Sequence, residues 1–177
     1  MKQLRSRKPN RLQNYDYSQN GAYFVTICAK DRLNLFAEIP VVGAVVNRPS
    51  QINRPPCTTN HPPHVKLTEI GIIIENEIIA MQNIRKNVIV PHYVIMPNHI
   101  HMIIVINAEH GGRLTTAPTV SEIIRLWKRA ISIEIGCSVW QKSFHDRIIR
   151  NSGEYTKIAQ YIENNPYLWT DDCFYQQ

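Results

Sequence analysis

A chain of 177 residues, 44% of them apolar, suits one buried core and is short for two. It has no run of 18 apolar residues, and the basic opening MKQLRSRKPNR leads into LQNYDYSQNG rather than an apolar signal core, so no membrane span is expected and a cytoplasmic protein is. The formal charge of +6 is lopsided: Lys2, Arg5, Arg7, Lys8 and Arg11 precede the first acid, Asp16, after which positives and negatives balance at 15 to 14. Such an arm either meets phosphate or stays solvated.

The four cysteines, Cys28, Cys57, Cys137 and Cys173, show no CxxC spacing and read as free thiols, which leaves out a disulfide framework and a zinc ribbon. The organisation read from the chain is a basic arm over 1–20, a single domain over 21–170 and a tail over 171–177. Within the domain, residues 43–64 form a Pro- and Asn-rich loop.

GAYFVTICAKD carries aromatic and β-branched residues on both faces, which predicts a covered first strand, Ala22 to Ala29. Prolines then remove donors and bias neighbours away from helix through 43–64, so no element is expected there, and His61 and His64 are poor ligands. Thr68 caps a helix with Glu69 in its first turn, and Ile70, Ile74, Ile78, Met81 and Ile84 make one apolar stripe facing a sheet. NVIVPHYVIMPNHIHMIIVI predicts two strands turning near Pro97 and Asn98. Thr119 and Glu122 stand in capping-box spacing at the start of a second helix that Gly136 stops. SVWQKSFHDRIIRN follows as a short strand with a basic exit, then a last helix from Ser152 ended by Pro166. The order strand, helix, strand, strand, helix, strand, helix predicts an α+β fold, a ferredoxin-like antiparallel sheet with helices packed on it.

Two groups of residues carry possible chemistry. Strand alternation puts His99 and His101 on one face, roughly 7 Å apart at Cα, within reach of one metal ion. Taken alone, His-x-His is more often a strand-edge feature, with one or both histidines bonded to backbone. In the last helix Tyr161 and Asn165 are four apart and share a face, which Tyr155 cannot join. Each alone also suits a bland role, Tyr161 in the core and Asn165 as a helix end before proline. Together the four fit one chemistry: a divalent ion on two imidazoles and an amide oxygen polarises a phosphate, and a phenol beside it attacks phosphorus.

MPNHIHMIIV resembles the His-hydrophobic-His motif of the HUH endonucleases. YIENNP, with VWQKSFHDRIIRN upstream, resembles the single-tyrosine transposases, in particular the REP-associated tyrosine transposases, and the likeness runs from about Tyr15 to Trp169 around the Pro-rich loop. The resemblance implies an HUH fold. It also implies metal ligands at His99, His101 and Asn165, a nucleophile at Tyr161 and Mg²⁺ or Mn²⁺ as the ion. The implied activity is cleavage and joining of single-stranded DNA near hairpins through a 5′-phosphotyrosine intermediate. Family members act as dimers or monomers, so both states stay open.

Under that resemblance Arg125, Lys128, Arg129, Arg147 and Arg150 become candidates for DNA phosphates, together with Lys2, Arg5, Arg7, Lys8 and Arg11 of the arm. Trp140 and His145 become candidates for contact with an extruded base, with a core position the ordinary alternative for Trp140. Relatives often carry His where this chain has Arg147, so no acid or base role is carried there. A hairpin-binding protein without chemistry is the rival reading, and a metalloprotein unrelated to DNA a third.

Overall fold

The structure, a computed structural model, describes residues 20–40, 65–107 and 119–175. The arm cations Lys2, Arg5, Arg7, Lys8 and Arg11, the 43–64 loop with its histidines, and Cys57 lie outside the described residues. Strand β1 (Gly21–Cys28) is followed by a two-stranded ribbon, β2 (Ala37–Glu38) with β3 (Lys66–Leu67), that the sequence did not signal. Helix α1 (Glu69–Ile84), strands β4 (Val88–Ile95) and β5 (His99–Ile106), helix α2 (Val120–Ile135), strand β6 (His145–Ile149) and helix α3 (Ser152–Asn164) complete the order.

The main sheet runs β4-β5-β1-β6, with every neighbour antiparallel. Counting only its own strands, that is second, third, first, fourth, the ferredoxin-like arrangement the element order predicted. Caps form where the sequence placed them: Thr68 accepts from the Gly71 N–H, Thr119 from the Glu122 N–H, and Gly136 closes α2 at φ 82°. Asn151 caps α3 by accepting from the Glu154 N–H.

Alternation along β1 and β5 divides the sheet into two faces. Tyr23, Val25 and Ile27 with Ile100, Met102 and Ile104 join the core under α1 and α2, where Ile74, Ile78, Met81, Ile123, Trp127 and Ile131 are buried. The α1 stripe is shorter than its sequence suggests, because Ile84 at the last turn is 79% exposed. The opposite face carries Phe24, Thr26, His99, His101 and Ile103; toward β4 and β6 it is covered by α3 through Ala159 and Ile162. The histidine pair therefore belongs to the thinner layer, the one covered by a single helix.

Two local features bring other segments to the same end of the sheet. A Cβ at Gly71 would overlap the Phe36 carbonyl oxygen, so glycine lets α1 lie against the chain there. Phe36 in turn donates its N–H to Pro97 O at 2.9 Å, tying that segment to the β4–β5 turn. Helix α3 stops at Asn164, just before Pro166, as the sequence predicts. Pro166 opens a 3-10 turn, Asn165–Asp171, that carries the chain back beneath His99.

Candidate metal and tyrosine site

His99 and His101 are 0% and 3% exposed, with ring centroids 4.6 Å apart. Their burial follows from position: β5 is the second strand of a four-stranded sheet, covered on both faces. Cross-strand neighbours set their surroundings. Thr26 lies opposite His101 and bonds its Nδ1 at 2.8 Å, and the Phe24 ring stacks on the same imidazole at 5.2 Å. His99 is flanked by the Phe174 ring at 4.5 Å and holds its Nδ1 at 3.0 Å from Asn98 Oδ1. The side-chain partners of both rings are other side chains, not the backbone that a bland strand-edge reading expects.

Helix α3 delivers Tyr161, whose hydroxyl lies 3.2 Å from His101 Nε2 while the residue stays 40% exposed. Asn165, one turn on, is 1% exposed and gives its amide N–H to Asp172 Oδ2 at 3.3 Å. The 3-10 turn thus brings in Asp172, whose Oδ2 is 4.0 Å from His99 Nε2. Among the described residues His99, His101 and Asp172 form a group whose ligand atoms lie within 4.8 Å of one another.

The electrostatics of this cluster are unbalanced. Burial pushes the pKa of both histidines down to about 3, the nearby Asn165 amide partly opposing it at His99; at His101 the other imidazole adds to the fall and Asp172 opposes it. Both are neutral near pH 7, the form that binds metals. Burial also pushes the Tyr161 phenol up, with the Asp172 charge adding to it, so phenolate is scarcer here than in water. His99 Nε2 and Asn165 Oδ1 are buried with no hydrogen-bond partner. Two orphaned acceptor-type atoms beside a carboxylate are costly as they stand, and a divalent cation of nitrogen and oxygen preference fits among them. His99, His101, Asn165 and Asp172 are the residues that would hold it.

The structure brings together His99, His101, Tyr161 and Asn165, all candidates from sequence, and adds Asp172 and Thr26, together with Asn98, which the sequence named only as a turn residue. Asp172 had a weak signal: Trp169, Phe174 and Tyr175 surround the Asp171-Asp172 doublet, and aromatic residues at that density suit a docked segment better than a frayed end. Asn98 and Thr26 had none beyond adjacency to the motif and strand pairing.

The basic candidates scatter. Arg125 and Arg129 are exposed on α2, in the layer across the sheet from the histidines. Lys128 does not present its charge to a ligand as expected of a DNA contact. Its ammonium donates to Gln141 O and Ser143 O, both at 3.0 Å, and burial lowers its pKa to about 8. Arg147 is exposed on β6, opposite Phe24, and pairs with Glu154; Arg150 is exposed one residue past the strand. Trp140 takes the core alternative, 7% exposed against Trp127 and Phe36, with its indole N–H on Lys128 O. His145 is exposed on the face of Thr26.

No protein-family model matches the chain. In sequence it is similar to an uncharacterized protein of Haemophilus influenzae, 29% identical over 195 residues and covering 97% of this chain and 94% of that one. In fold it is similar to a REP-associated tyrosine transposase solved bound to a REP hairpin, with a TM-score of 0.55 and 20% identity over 89% of this chain and 73% of the other. The chain thus has the fold of a tyrosine transposase of that kind. No described helix is long and apolar enough to cross a membrane.

Proposed function

We propose that the protein is a metal-dependent transesterase of single-stranded DNA, a transposase that cleaves and rejoins strands beside hairpins through Tyr161. One observation carries this reading. A half-exposed phenol lies 3.2 Å from one of two buried neutral imidazoles, next to orphaned His99 Nε2 and Asn165 Oδ1 and the Asp172 carboxylate. A nucleophile that solvent and substrate can reach thus adjoins a pocket of unpaired ligand atoms. The fold shared with a hairpin-bound transposase supports a DNA hairpin as substrate.

When bound, Mg²⁺ or Mn²⁺ supplies Lewis acidity toward a phosphate oxygen and favours the phenolate. The rest falls to the chain's own groups. Asp172 and Asn165 hold oxygens against His99, and the sheet fixes the two imidazoles at their separation. His101 Nε2 cannot serve the Tyr161 hydroxyl and a cation at once, so the phenol would be free to turn toward a phosphate wherever that nitrogen held a cation. Tyr161 then forms an O–P bond as the bond to the 3′ oxygen breaks. Solvent takes the phenol proton and protonates the leaving oxygen, which gives a 5′-phosphotyrosine and a free 3′-OH. Attack by a 3′-OH reverses the step and rejoins a strand. Arg147, Arg150 and the basic arm would meet the DNA backbone.

Labelled hairpin-bearing single-stranded DNA from the chain's genomic flanks, incubated with Mn²⁺ or Mg²⁺, is expected to yield a denaturation-resistant adduct that EDTA abolishes. Tight binding with no adduct under any of these conditions would instead make the protein a hairpin-binding module.

A further inference from the structure

Asn98 precedes the histidine motif, is 0% exposed and uses every polar atom of its side chain. Its Nδ2 lies 2.7 Å from Phe174 O and 3.2 Å from Arg32 O. Both carbonyls only accept, so the amide nitrogen must face them and Oδ1 must face the third neighbour, His99 Nδ1 at 3.0 Å. Amide oxygen also only accepts, which places the imidazole proton on Nδ1. A neutral ring carries one such proton, so Nε2 is left with a bare lone pair aimed at Asp172 and Asn165. The orphaned state of that atom then has a cause two bonds away.

We propose that Asn98 is the positioning residue of the metal pair: its amide sets the His99 tautomer and ties that ligand to the segment carrying Asp172. The inference rests on the metal site put forward under the proposed function. Three separate pieces of chain meet at this one side chain: the turn at Arg32, the strand that begins at His99 and the segment ending near Phe174. Arg32 reinforces the junction from outside, with its guanidinium 5.3 Å over the Phe174 ring. The turn itself holds Asp31 and Arg32 at φ 54° and 57°, a left-handed conformation that non-glycine residues adopt at some cost. The Asn98 bond to Arg32 O holds one of those two residues in place. His101 has no equivalent lock, because its Nδ1 partner is the Thr26 hydroxyl, which donates or accepts equally well.

The test reads the proton directly. Imidazole nitrogens of ¹⁵N-histidine protein, free of metal at neutral pH, should show His99 protonated at Nδ1 in the wild type. Asn98→Ala should move that proton mainly to Nε2 and weaken Mn²⁺ binding about 10- to 100-fold, the effect typical of losing a ligand's hydrogen-bond partner. Asn98→Asp keeps an oxygen for Nδ1–H and should keep the tautomer, although it forfeits the two donated bonds. A wild-type His99 protonated at Nε2 overturns the inference whether or not any variant folds, and so does an Asn98→Ala protein with unchanged tautomer and affinity. A wild type with the expected tautomer and no Mn²⁺ uptake would count against the metal site instead, so the two failures are told apart.

Discussion

Asp172→Asn separates a cation site from an ordinary buried polar cluster, because the two readings give opposite signs. The Asp172 side chain is 5% exposed, accepts from the Phe174 N–H at 2.7 Å and from the Asn165 amide at 3.3 Å, and sits 4.0 Å from His99 Nε2. Asparagine has the same shape and places an NH₂ where Oδ2 stood. One of its hydrogens faces His99 Nε2, and the other faces the Asn165 oxygen once that amide turns over. A buried acceptor left unpaired costs about 1–3 kcal/mol, so satisfying one of the two orphans should raise metal-free stability by about 1–2 kcal/mol. In a domain of this size that is a rise of about 2–8 °C in Tm. Mn²⁺ at about 100 times its Kd stabilises the wild type by about 2.7 kcal/mol, and a loss of affinity of about 10- to 100-fold cuts the gain to about 0.4–1.4 kcal/mol. Thermal unfolding in EDTA and across a Mn²⁺ titration reads both effects. A variant that melts lower in EDTA and gains as much from Mn²⁺ as the wild type would refute the reasoning and leave Asp172 a structural acceptor.

Acid should weaken the metal-free protein through the same histidines. Their folded pKa of about 3 lies below the unfolded value of about 6.5, so the unfolded chain binds more protons between those limits. Stability from these groups is full above about pH 6.5 and falls as pH drops, by up to about 1.4 kcal/mol per pH unit for each. Urea unfolding in EDTA from pH 8 to 4 should show the slope in the wild type and not in a His99→Gln, His101→Gln protein; equal slopes would contradict it. Lys128→Met should cost about 1–2 kcal/mol, since its ammonium bonds two carbonyls, and leave the salt dependence of DNA binding unchanged. Arg147→Ala should do the reverse, costing little stability because its guanidinium is exposed, while lowering the salt slope by about one. Unfolding midpoints and anisotropy titrations against salt check both, and the opposite pattern would exchange their roles.

Patterns of short period were legible in the sequence and the returning chain was not. The capped helices at Thr68 and Thr119, the strand alternation that pairs His99 with His101, and the four-residue step from Tyr161 to Asn165 all follow from local geometry. The sheet order followed from element order through the few topologies antiparallel sheets allow. The β2–β3 ribbon escaped because two-residue strands carry no periodicity. Lys128 reads as a surface candidate, because nothing local shows that the 139–143 segment folds onto α2 and takes its ammonium, whereas the core position of Trp140 is the ordinary reading of a Trp beside a strand. Asp172 escaped for a related reason: Pro166 ends the helix as its sequence implies, but nothing local shows that the 3-10 turn beyond it brings a carboxylate back to the motif.

The central claim is that the Tyr161 oxygen forms a covalent bond to DNA phosphorus. Denaturing electrophoresis of the wild type with 5′- and 3′-labelled hairpin DNA and Mn²⁺, followed by peptide mapping of the adduct, tests it most directly. The expected result is one phosphotyrosine, Tyr161 joined to the 5′ phosphate of the strand downstream of the break, with no adduct from Tyr161→Phe. An adduct that persists in Tyr161→Phe, or that maps to another residue, would contradict it.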